Sequence, residues 1–121
     1  MAPPTYNLNE KSRIWVPPGS DLRMTYDYGE DRSGASITLQ YEEREWAYLP
    51  HQYSKLTPGT WTEADTEIDD SDLANGNLVV LLSPSTIDQW ENRMVELQLI
   101  TEHSGRQWVA QDFTVIVAQG A

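Results

Sequence analysis

Apolar and polar residues alternate with a period of two along several short stretches of the chain, which is the signature of strands with one buried face. Leu22, Met24, Tyr26 and Tyr28 alternate with Arg23, Thr25 and Asp27, and Ile37, Leu39 and Tyr41 alternate with Thr38, Gln40 and Glu42. The charged loop from Gly29 to Gly34 lies between these runs, so they are predicted to pair as a hairpin. Arg13 to Val16 reads as an earlier strand, closed by Pro17, Pro18 and Gly19, where proline followed by glycine suits a type II turn. Trp46, Tyr48 and Leu49 extend the apolar signal irregularly until Pro50 and the turn at Thr57 to Thr60 break it.

The last third of the chain carries longer runs. Thr62, Ala64, Thr66 and Ile68 alternate with Trp61, Glu63, Asp65 and Glu67, which predicts an edge strand whose outward acids discourage edge-to-edge pairing. Asn75 and Gly76 favour a tight turn into Leu78 to Leu82, whose continuous apolar character predicts a central strand. Ser83 can cap, and Pro84 can start, a single helical turn reaching Trp90. Val95, Leu97 and Leu99 alternate with Glu96 and Gln98, and Trp108 to Val117 returns antiparallel to them across Ser104 and Gly105. In the returning run Trp108 and Ala110 share one parity while Phe113, Val115 and Val117 share the other. A β-bulge near Gln111 and Asp112 brings both sets inward.

These elements predict an all-β fold, a single antiparallel β-sandwich of immunoglobulin-like type with about seven or eight short strands, and a barrel as second choice. Residues 1–12 are polar, with Tyr6 and Leu8 as apolar anchors, and read as an N-terminal arm preceding a sandwich domain at 13–118. At 121 residues the chain fits one domain able to bury a real core. The absence of cysteine removes disulfides and thiolate chemistry.

Charge narrows the function. Nineteen acidic against eight basic residues give a net charge of −11, which predicts no nucleic-acid partner. No basic residue lies between Lys55 and Arg93, so one face or loop is expected to be strongly negative. Within that stretch Asp65, Glu67, Asp69, Asp70 and Asp72 are the candidate ligands for a hard cation such as calcium. They lack the glycine and closing glutamate of an EF-hand, and a solvated acidic face is the preferred reading. The longest aliphatic run, Leu78 to Leu82, falls far short of the roughly 18 residues of a transmembrane helix, so no membrane partner is expected.

Catalytic equipment is not apparent. His51 and His103 sit in turn-like contexts without a patterned serine nucleophile, and Glu42, Glu43 and Glu45 read as a charged strand end rather than paired catalytic carboxylates. The chain is therefore read as non-enzymatic, with no cofactor. Trp15, Tyr26, Trp108 and Phe113 are expected in the core. Trp46, Tyr48, Tyr53, Trp61 and Trp90, in less regular segments, are the interface candidates together with Tyr6 and Leu8 of the arm.

Three features together resemble a known family: Pro18, Gly19, Ser20, Asp21 and Leu22 opening the first strong strand; the break Ser83, Pro84, Ser85 and Thr86 after the central strand; and the final run Gln111 to Val117. Across residues 12 to 118 the outline resembles the small β-sandwich proteins of tailed-phage virions, particularly of phages infecting actinobacteria. It is also similar to the sandwich domains that begin upper-baseplate proteins. The middle, Arg44 to Asp72, departs from that outline by its length and acidity. The resemblance implies a virion structural protein, foremost a capsid decoration protein cementing the outer shell, with the major capsid protein or another virion protein as partner and a homo-oligomer, a trimer among its forms, as its state. The alternatives are a tail, head–tail connector or baseplate module, and a carbohydrate- or host-surface-binding module using Trp46, Trp61 or Trp90. Met1 to Tyr6 lacks the basic start and apolar centre of a secretory signal, which predicts residence in the host cytoplasm until assembly into the virion.

Overall fold

The computed structural model describes residues 5–45, 61–91 and 93–118. Among these residues nine strands form two sheets: β1 (Thr5–Asn7), β2 (Arg13–Val16), β3 (Leu22–Asp27), β4 (Ser36–Glu45), β5 (Thr62–Glu63), β6 (Glu67–Asp69), β7 (Asn77–Leu82), β8 (Arg93–His103) and β9 (Arg106–Val117). A 3-10 turn at Leu73–Asn75 precedes β7, and one helix, α1 (Pro84–Gln89), joins β7 to β8. The four-stranded sheet runs β1-β3-β7-β6, and the five-stranded sheet runs β2-β9-β8-β4-β5. The two pack as a β-sandwich whose core includes Leu22, Met24, Leu39, Val80, Leu97 and Val115.

Both sheets are mixed rather than wholly antiparallel. β1 runs parallel to β3 and β2 parallel to β9, while the other pairs are antiparallel. β3 and β4 do not form the expected hairpin. β3 pairs with β1 and β7, and β4 pairs with β8 and β5 in the opposite sheet. The intervening loop is a crossover, held by the Arg32 amide donating to the Leu73 carbonyl at 2.8 Å and the Tyr28 amide donating to the Gly76 carbonyl at 2.8 Å. Gly76 has a φ of 81° and lies beneath that loop, so that a Cβ there would meet the Glu30 carbonyl oxygen at 2.7 Å. Glycine is required on both counts.

Residues 5–8 belong to the sandwich. β1 pairs with β3 from Thr5 to Asn7, and Leu8 is 0% exposed within the core. The described part of the expected arm is thus an edge strand followed by a core residue. Its link continues into β2, at the edge of the other sheet. The expected edge strand at Trp61 to Ile68 makes the same move on the opposite flank: β5 closes the five-stranded sheet, Ala64 turns into the core, and β6 closes the four-stranded sheet. Each flank is therefore hemmed by a segment that passes from one sheet to the other, which leaves only short exposed edges.

The central strand, the helical turn and the bulge are where the pattern places them. β7 lies between β3 and β6. Ser83 caps α1 by accepting a hydrogen bond from the Thr86 amide, with proline in the first turn. The register of β8 with β9 shifts between Leu99 and Ile100, so that Ala110 is the extra residue beside Gln111. The Tyr26 hydroxyl, reaching from the other sheet, donates to the Ala110 carbonyl at 3.1 Å, so a backbone group in the bulge has a partner.

Candidate interaction surfaces

Alternation along β2 and β9 sends Ile14, Val16, Val115 and Val117 into the core and turns Trp15 and Ile116, which oppose one another, to the other face of the sheet, where Ile116 is nonetheless buried. Trp15 is 49% exposed and Val109, on the same face beyond the bulge, is 41% exposed. They are the large apolar side chains left exposed among the described residues. Trp15 was expected in the core; its parity opposite to Ile14 and Val16 puts it outside. An exposed tryptophan on an outward sheet face is a natural contact residue, because it supplies a large rigid surface at small entropic cost.

The other candidates divide. Trp90 is 0% exposed and stacks in tilted geometry on Tyr41 with ring centroids 5.1 Å apart. Like Leu8, it is core and offers no contact surface, and it cannot be a sugar-stacking platform. α1 explains this, since Ile87 and Trp90 are both carried inward as it closes one end of the sandwich. Tyr6 and Trp61 are half-buried at the two hemmed flanks. Trp46, Tyr48, Tyr53 and His51 lie outside the described residues.

At the other end of the sandwich a polar and aromatic cluster joins the loop after β3 to the β8–β9 hairpin. The Arg32 guanidinium sits over the Trp108 ring at 5.0 Å from its centroid and pairs with Glu30. His103 Nε2 lies 3.1 Å from the Ser33 carbonyl oxygen, and its Nδ1 lies 3.5 Å from an Arg32 nitrogen. The Tyr28 hydroxyl and Thr101 Oγ1 are 2.6 Å apart, and burial pushes the Tyr28 phenol above its ordinary value. The histidine therefore fastens a crossover loop to a hairpin and faces no nucleophile among these partners.

The acidic stretch is extended over the flank. Asp65, Glu67, Asp69, Asp70 and Asp72 are all exposed, and no group of three or more metal-ligating side chains converges among the described residues. Asp69 accepts hydrogen bonds from the hydroxyl and amide of Ser71, and Asp72 accepts from Asn77 Nδ2 and Asn75 Nδ2, both at 2.7 Å. These donors hold both carboxyls below the usual range, and the Ser33 hydroxyl and amide do the same for Asp31. In each case the carboxylate clips a turn. Asp21, Asp65 and Glu67 also border an open cleft of about 310 Å³ beside Ser83 and Pro84. No helix among the described residues is long and apolar enough to cross a membrane.

No protein-family model and no curated protein matches the chain. Among solved structures, the chain is similar to the N-terminal domain of phage TP901-1 ORF48, with a TM-score of 0.36 and 13% identity over 95% of each chain.

Proposed function

We propose that this chain is a non-enzymatic structural protein of a tailed-phage virion, foremost a capsid decoration protein on the outer shell. The observation that supports a binding role is the outer face of the five-stranded sheet, where Trp15 stands 49% exposed on a rigid strand. Polar groups that chemistry would recruit, His103, Asp31, Asp69 and Asp72, are instead bonded to turns and loops. The virion reading rests on the sequence resemblance, whose three features open β3, cap α1 and finish β9. The strand order β1-β3-β7-β6 against β2-β9-β8-β4-β5 supports an immunoglobulin-like description of the sandwich, although β1 and β3 are parallel.

A net charge of −11 favours the outside of the shell over its DNA-filled lumen. Cementing then follows from mass action, since a protein that binds the assembled shell but not its free subunits stabilises the assembled state. Virions lacking the protein are expected to lose heat and salt resistance, and adding it back is expected to restore both. Unchanged resistance would dismiss the cementing role. Locating the protein in a virion map separates a shell position from a tail, connector or baseplate position.

A further inference from the structure

The strand orders place two segments of opposite character on opposite flanks of the sandwich. On one flank, the link from β1 into β2 carries Lys11 and Arg13, both exposed, beside Glu10 and the exposed Trp15. Arg23, opposite Thr5 on one side and Leu81 on the other, projects from the face of the four-stranded sheet between the two flanks. On the other flank, β5, β6 and the turn after them carry Glu63, Asp65, Glu67, Asp69, Asp70 and Asp72, without a basic residue among residues 61–72.

Both flanks also expose backbone. Ser12 and Val16 give their carbonyls to Thr114 and Ala118, so alternation turns the N–H and C=O groups of Arg13 and Trp15 away from β9, toward the open rim of the sheet. The Ala64 amide donates to the Leu39 carbonyl, which by the same alternation turns the Glu63 backbone away from β4. Among the described residues, each rim of the five-stranded sheet thus turns backbone groups away from the sheet over a short length.

We propose that the occupant of the β2 rim is the β5–β6 rim of a second copy of this chain, giving a head-to-tail contact in which Lys11 and Arg13 meet the acidic flank and Trp15 is covered. A twofold pairing of like rims would oppose acid to acid on one flank, and like charges across a contact are unfavourable. The charge arrangement therefore selects the heterologous pairing. Such contacts repeat from copy to copy and close into a ring or extend into a filament, according to the rotation between neighbours. This self-association does not depend on the virion reading, and either can fail without the other.

The test is a charge exchange read by sedimentation velocity over a range of protein concentration. Wild-type protein is expected to sediment increasingly above its 13.8 kDa monomer as concentration rises. Lys11→Glu with Arg13→Glu makes both flanks acidic, and Glu63→Lys with Asp65→Lys, Glu67→Lys and Asp70→Lys leaves four lysines against Asp69 and Asp72 and makes the second flank basic. Either variant alone is expected to need at least about tenfold more protein for the same association. An equimolar mixture of the two is expected to associate again, because each supplies the charge that the other has lost. Circular dichroism melts of both variants, whose changed residues are all exposed, verify that they remain folded. A wild type that stays monomeric throughout overturns the proposal, as does association unaffected by either exchange or a mixture no more associated than its components.

Discussion

Truncating Leu8 separates an arm from a core residue. The side chain is 0% exposed, so Leu8→Ala is expected to lower stability by about 2 to 5 kcal/mol, read from urea denaturation; a loose arm would give no change. Leu8 was not legible as core because it stands alone between Asn7 and Asn9, where no periodicity can register. Trp90 escaped for a related reason: a helix of six residues is too short for its apolar spacing to declare a buried face. Trp15 is the reverse case. Its hydrophobicity argued for burial, but the stricter guide was parity, since Ile14 and Val16 flank it and both point inward.

At the level of elements, local punctuation was the dependable signal. Ser83 followed by Pro84 marked the start of α1, and its side chain accepts from the Thr86 amide. Ser83→Ala is expected to cost about 1 kcal/mol, measured by thermal or chemical denaturation, with Ser83→Asp retaining most of the stability. The bulge between β8 and β9 was legible from the parity change between Ala110 and Phe113. The pairing of β3 was not. The Gly29–Gly34 loop looks like a hairpin connection in sequence, and only the contacts of Arg32 and Tyr28 with Leu73 and Gly76 show that it crosses between sheets. The parallel pairs β1·β3 and β2·β9 were illegible for the same reason, because strand direction relative to a distant neighbour leaves no mark on local alternation.

For the whole molecule, the sandwich was legible because alternation, turn residues and the lack of helical spacing agree across the chain. The acidic balance adds a pH dependence. Asp31, Asp69 and Asp72 have lowered pKa values, chiefly from hydrogen bonds given by Ser33, Ser71 and Asn77 respectively. A carboxyl with a lower pKa folded than unfolded stabilises the fold above the unfolded value, and that contribution disappears as pH falls through the folded value. Thermal midpoints are therefore expected to be steady near neutrality and to fall below about pH 4. Asp72→Asn is expected to flatten that acid limb, and an unchanged limb would assign the effect to other carboxylates.

The two hemmed flanks also bear on mechanical load. Residues 5–16 and 62–69 each hold an edge in both sheets, so sliding one sheet over the other meets more resistance than an apolar interface alone offers. Shear must strip backbone hydrogen bonds from β1 or β2 on one side and from β5 or β6 on the other before the layers can separate. A module built this way transmits force between its faces while keeping its own shape.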